Sequence, residues 1–205
     1  MGRDKFLRYR HDTAHDDTLT AMSMGANFLY IKLAANDDLT SAGVSPLVPA
    51  RFMRLASDMS RESFWSMLTE LEDQRLVVVD RDTDEVMIRT YVRHSKVMHQ
   101  PNRVKNLARH GWASVFSDKI RAALIIELAR VLVDESDIKT WHVLDSEAPE
   151  LWSAVKDTAQ TIRISGEIPH LADMTERREL SRQFKLPMHS QAVDNPVDNY
   201  DEPPF

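Results

Sequence analysis

Leu76-Val77-Val78-Val79-Asp80 and Val86-Met87-Ile88-Arg89-Thr90-Tyr91-Val92 are two aliphatic runs separated by Arg81-Asp82-Thr83-Asp84-Glu85. Two such runs joined by a short polar segment predict a β-hairpin. Upstream, Phe64, Met67, Leu68 and Leu71 recur at helical spacing behind Ser60, a residue type that caps helices. Pro49 can open another helix, with Phe52, Met53 and Leu55 inward, and Ser57-Asp58-Met59-Ser60 is the turn between the two. Ser41-Ala42-Gly43-Val44-Ser45 reads as a short extended link. Before it, Ser23 precedes a pattern of Phe28, Leu29, Ile31, Leu33 and Ala34 that ends near Asn36-Asp37-Asp38. Three helices followed by a hairpin is the element order of a winged helix-turn-helix.

Downstream, Ser114 to Glu135 reads as a strong helix with a wide apolar face, nearly uninterrupted through Ala122-Ala123-Leu124-Ile125-Ile126. A further helix is expected from about Ala148 to Ile162, with Leu151, Trp152 and Val155 inward. A helix this broadly apolar must be covered, by a small helical domain or by a second copy of the chain. The expected fold is therefore mainly α with a small β-hairpin. It comprises an N-terminal arm (1–22), a winged-helix domain (23–98), a basic segment with a helical domain (99–172), a linker (173–190) and a disordered acidic tail (191–205).

Composition narrows the function. In 205 residues, 42% are hydrophobic and 28% charged, the balance of a soluble globular protein. Without cysteine there is no disulfide or thiolate chemistry. No stretch has the apolar length of a membrane span or signal peptide, so a cytoplasmic location and no membrane partner are expected. Formal net charge is −6, yet the charge is segregated. Between Val86 and Ile125 lie Arg89, Arg93, Lys96, Arg103, Lys105, Arg109, Lys119 and Arg121 against Asp118 alone, eight minus one or +7, which leaves −13 for the rest. These eight are the candidate nucleic-acid-binding residues. They are interleaved with Tyr91, His94, His99, His110 and Trp112, which suits phosphate contact combined with base stacking.

The Ser23 to Asn36 helix, Ser41-Ala42-Gly43-Val44, the Ser60 to Gln74 helix running into Arg75-Leu76-Val77-Val78, and Tyr91-Val92-Arg93-His94 followed by Gln100-Pro101-Asn102-Arg103-Val104-Lys105 resemble a family of phage replication proteins. The resemblance covers about residues 20 to 110 and implies an N-terminal winged helix that binds DNA. The third helix departs from that role: it carries Glu62, Glu70, Glu72 and Asp73 against Arg61, and carboxylates facing phosphates cost affinity.

The final stretch, Asp198-Asn199-Tyr200-Asp201-Glu202-Pro203-Pro204-Phe205, joins an acidic, proline-stiffened segment to an aromatic residue. Prolines lower the entropy lost on docking, and Phe205 can fill an apolar pocket. It resembles the C-terminal tip of actinobacterial single-stranded DNA-binding proteins. That resemblance implies recruitment of host replication and repair enzymes through Asp198, Asp201, Glu202, Pro203, Pro204 and Phe205.

An enzyme reading finds little to build on. His11-Asp12 and His15-Asp16-Asp17 place two histidines four apart, but a metal site needs three or four converging ligands. Five scattered glycines make no phosphate loop. The expectation is therefore no catalysis, no metal and no cofactor. The chain is read as a DNA-binding protein of phage-type replication or recombination, with single-stranded or duplex DNA, host enzymes and a homo-oligomeric partner as the interactions in view. The alternative is a protein-interaction factor that uses the tip to block or redirect host enzymes without binding DNA.

Overall fold

The computed structural model describes residues 21–176. Ser23 starts helix α1, Met24–Ala34, by accepting the Ala26 amide at 3.1 Å, and Ala26, Leu29 and Leu33 form its buried side. The chain then turns at Gly43, whose φ is +76° and where a Cβ would come within 2.6 Å of the Tyr91 Cβ. Both conditions demand glycine. Strand β1, Val44–Pro46, follows. Pro49 stands in the first turn of the short helix α2, Pro49–Phe52, which continues as a 3₁₀ turn over Met53–Leu55.

Helix α3, Arg61–Asp73, begins with a reciprocal cap: the Ser63 amide donates to the Ser60 hydroxyl at 3.1 Å, and the Ser60 amide donates to the Ser63 hydroxyl at 2.9 Å. The hairpin follows as β2, Val77–Asp80, and β3, Glu85–Ile88, in antiparallel register from Val77 opposite Ile88 to Asp80 opposite Glu85. β1 pairs antiparallel with the other edge of β3, Val44 opposite Met87, so the sheet order is β1-β3-β2. The link expected around Ser41 to Ser45 is thus partly a third strand. Its Pro46 is tolerated because β1 lies at the sheet edge.

The expected second strand is shorter than its apolar run. The Arg89 amide still reaches the Leu76 carbonyl at 3.0 Å, but at Arg75 the partner chain leaves the ladder with φ +57°. With no strand opposite, Tyr91 and Val92 close into a helical turn, α4, Tyr91–His94, and Val92 is buried. A 3₁₀ turn over Val97–His99 leads to α5, Pro101–Asn106, and a π-helical turn over Leu107–Trp112. Ser117 caps the long helix α6, Asp118–Asp134, by accepting the Ile120 amide at 3.0 Å. The chain before it, from Ser114, is not helical. Helix α7, Trp141–Glu147, which the apolar pattern did not reveal, precedes α8, Pro149–Ser165, closed by Gly166 at φ +70°. Residues 171–176 form one more helical turn, and its Leu171 and Met174 lie against the core.

The molecule is mainly helical around a small antiparallel sheet whose two faces are both covered. Val77, Val79, Val86 and Ile88 point to one side, where they meet Leu29 and Leu33 of α1, Phe52 of α2 and Phe64, Leu68 and Leu71 of α3. Val44, Val78 and Met87 point to the other, where they join Ile120, Ala123 and Leu124 of α6, with Leu151, Val155 and Ala159 of α8 behind. Burial on both faces is why Val77-Val78-Val79 shows no polar alternation. Val97 and Met98, at the expected domain boundary, are buried in the α6 cluster. The arm up to residue 20 and everything from residue 177 on, including the acidic tail and its tip, lie outside the described residues.

Candidate nucleic-acid interface

Glu127 sits in the apolar middle of α6 and is fully buried, which no carboxylate tolerates without partners. It has three. Arg89, just past β3, donates to Oε1 at 3.0 Å; Arg93 of α4 brings Nε to 2.9 Å from Oε2; and Arg130, one turn further along α6, brings Nη1 to 3.4 Å from both oxygens. Arg93 Nε is near its carboxylate without the alignment of a hydrogen bond, and Arg89 Nε is a buried donor with no acceptor among the described residues. The three arginine side chains remain 20–27% exposed.

The other expected cations fall into two groups. On the α5 side, Arg103 donates to the Ser95 carbonyl at 2.7 Å beside the exposed Lys96, whose backbone is left-handed at φ +51°. Arg109 grips Glu147 of α7 through Nε at 2.6 Å and Nη2 at 3.0 Å. That hydrogen bond pushes the Arg109 guanidinium above its ordinary value, and with some help from Lys105 it holds the Glu147 carboxyl below its own. At the opposite end of the sheet, Lys119 donates to the Val79 carbonyl at 2.7 Å and lies 3.9 Å from Glu72. Arg121 donates to the Val115 carbonyl at 2.8 Å and stacks over Trp112 at 5.1 Å. The eight residues therefore take different partners, and the structure does not join them by contacts into one continuous basic face.

Three of the stacking candidates are also engaged. Tyr91 packs against the core, His99 pairs with Glu135 at 3.1 Å, and Trp112 lies beneath Arg121. His110 is exposed. Around the third helix the acids are partly occupied: Glu72 pairs with Arg81 at 3.5 Å, and Glu70 accepts the Ser23 amide at 2.6 Å and its hydroxyl at 2.7 Å. Those bonds hold Glu70 below the usual carboxylate range. The outward side of α3 is left with Arg61 beside Glu62 and Asp73 near Arg75.

The hairpin tip is clasped by α6. Glu85 is buried, and its carboxylate accepts the Ser117 amide at 2.7 Å and the Phe116 amide at 3.1 Å. Burial pushes the Asp80 carboxyl up, but hydrogen bonds from the Ser117 side chain and from the Asp82 and Thr83 amides, with the charge of Lys119, hold it below its ordinary value. Phe116 itself is 73% exposed. Sequence reasoning passed over Phe116, Glu127 and Arg130. An acid flanked by Ile125, Ile126 and Leu128 was the signal for a buried ion cluster.

Among the described residues no three His, Asp or Glu side chains converge as a metal site, and no helix is long and apolar enough to cross a membrane. Compared with known proteins, the chain matches no family model, no curated protein and no solved structure.

Proposed function

We propose that the chain is a DNA-binding protein of phage-type replication or recombination, acting by binding and without catalysis, in which residues 23–98 form a winged helix-turn-helix. The observation that carries this reading is topological. The order α1-β1-α2-α3-β2-β3 with strands paired β1-β3-β2 is the arrangement such a domain requires. DNA, single-stranded or duplex, engages chiefly the α5 side. There Lys96 and Lys105 are exposed, Arg103 is half-buried, and Arg109 stands 60% exposed although paired. The segment with Asp198, Asp201, Glu202, Pro203, Pro204 and Phe205 recruits host replication and repair enzymes, and withdraws from or competes for the basic face according to salt.

Fluorescence anisotropy against single-stranded and duplex oligonucleotides over a series of salt concentrations tests this. Each phosphate contact contributes about 0.7 to 0.9 to the logarithmic salt slope. Replacing Lys96, Arg103, Lys105 and Arg109 by Ala should therefore weaken binding and flatten that slope. An unchanged slope sinks the α5 side as the interface.

A second reading, a protein-interaction factor that works through the tip without DNA, is favoured by one observation. Arg109 is paired with Glu147, Lys119 in part with Glu72, and Arg89 and Arg93 share Glu127, so part of the cationic segment is engaged within the molecule. Absence of any salt-dependent DNA binding would decide for it.

A further inference from the structure

Three arginines are more than Glu127 needs. One guanidinium in two-point contact balances the charge of a carboxylate, and each additional one, though it can fill a remaining lone pair, brings like-charge repulsion and its own desolvation. Here Arg89, Arg93 and Arg130 come from three different elements to share one acid, three charges against one, which leaves +2 at one partly open spot. Glu127 is buried beneath them, while the three arginine side chains keep 20–27% of their surface exposed. Arg89 Nε has no acceptor among the described residues.

We propose that this cluster is a seat for a dianionic phosphate, either inorganic phosphate or the terminal phosphomonoester of a strand end. A tetrahedral dianion matches the residual charge, and its oxygens accept from several guanidinium forks at once, which a singly charged phosphodiester does less well. Glu127 positions the forks from below by fixing one edge of each. The seat stands on this geometry and holds whether or not the α5 side binds DNA.

The test is calorimetric titration of the full chain with inorganic phosphate against chloride at matched ionic strength. Parallel titrations use a short single-stranded oligonucleotide carrying a 5′-phosphate or a 5′-hydroxyl. Phosphate should bind, and Arg130→Gln should weaken it about tenfold, the effect of one charge-assisted contact. Glu127→Gln, which removes the competing carboxylate, should leave phosphate binding as tight or tighter. A purely structural ion cluster gives the opposite signs: no phosphate response in the native chain, or equal affinity in native and Arg130→Gln chains, overturns the seat. If Arg130→Gln does not fold, Arg130→Lys keeps the charge and loses the fork, and phosphate affinity equal to the native chain's is then the overturning result. A preference for the 5′-phosphate that Arg130→Gln abolishes identifies a strand end as the source. Binding of inorganic phosphate without that preference identifies free phosphate. DNA binding without any phosphate response overturns the seat and leaves the DNA reading intact; a phosphate response in a chain that binds no DNA does the reverse.

Discussion

The two faces of the sheet are held by different physics. On the α1–α3 face the joint is apolar: Val77, Val79, Val86 and Ile88 meet Phe64, Leu68 and Leu71, with Phe52 stacked on Phe64 at 5.9 Å. On the α6 face an apolar centre is bracketed by two buried carboxylates, Glu85 at the hairpin tip and Glu127 at the far end. Apolar contacts are additive and forgiving of direction. Buried carboxylates are directional, and each orphans its donors when it is lost. The first face should therefore fail by loosening and the second by leaving polar groups stranded.

The largest effect should come from emptying the apolar face. Phe64→Ala removes a fully buried ring and should cost about 3–5 kcal/mol, read as a lowered urea midpoint. Glu85→Ala should come next, at about 2–3 kcal/mol, since the Phe116 and Ser117 amides lose their acceptor. A cost below that of an ordinary surface change would show that water satisfies the clasp and would erase the contrast between the faces. The two serine caps give a finer comparison. Ser60→Ala should cost about 1 kcal/mol, whereas Ser117→Ala should cost about 2, because Ser117 is buried and also bonds Asp80. Equal losses in thermal melts would mean that burial adds nothing to that cap.

Acid should produce the smallest effect. Glu70, Asp80 and Glu147 are all held below their ordinary values, so the stability they lend is present above the unfolded-state values. It is lost as pH falls through the lower folded-state values. Glu70 is held by exposed hydrogen bonds, and Glu147, though its own side chain is only 15% exposed, pairs with an Arg109 that is 60% exposed, so screening makes their share slight. Asp80→Asn should therefore flatten the acid limb of a stability–pH curve more than Glu147→Gln does; the reverse order would shift the weight to the Arg109 pair.

Much of the apolar face was legible in the sequence. Ser23, Pro49 and Ser60 announce their helices, and Phe64, Leu68 and Leu71 announce a buried side, because caps and periodicity are local signals. β1 was only half legible: three residues including Pro46 carry no strand pattern, and it exists because β3 offers a free edge. Tyr91 and Val92 look like strand and are helix because the partner strand has ended. The cation clusters were least legible. Arg89 and Arg93 carry the same letters whether they face DNA or Glu127, and their partner lies more than thirty residues downstream. Only its position in an apolar run betrays it.

β3 is paired along both edges and covered on both faces. That governs how the gene can be cut. A fragment ending at residue 98 would keep the three strands and strip α6 from Val44, Val78 and Met87, producing a sticky sheet in place of a portable module. Expression of the N-terminal portion alone should yield aggregates. In the intact chain, amide protons of β3 should be the last to exchange with deuterated solvent, released only when the whole body opens at once.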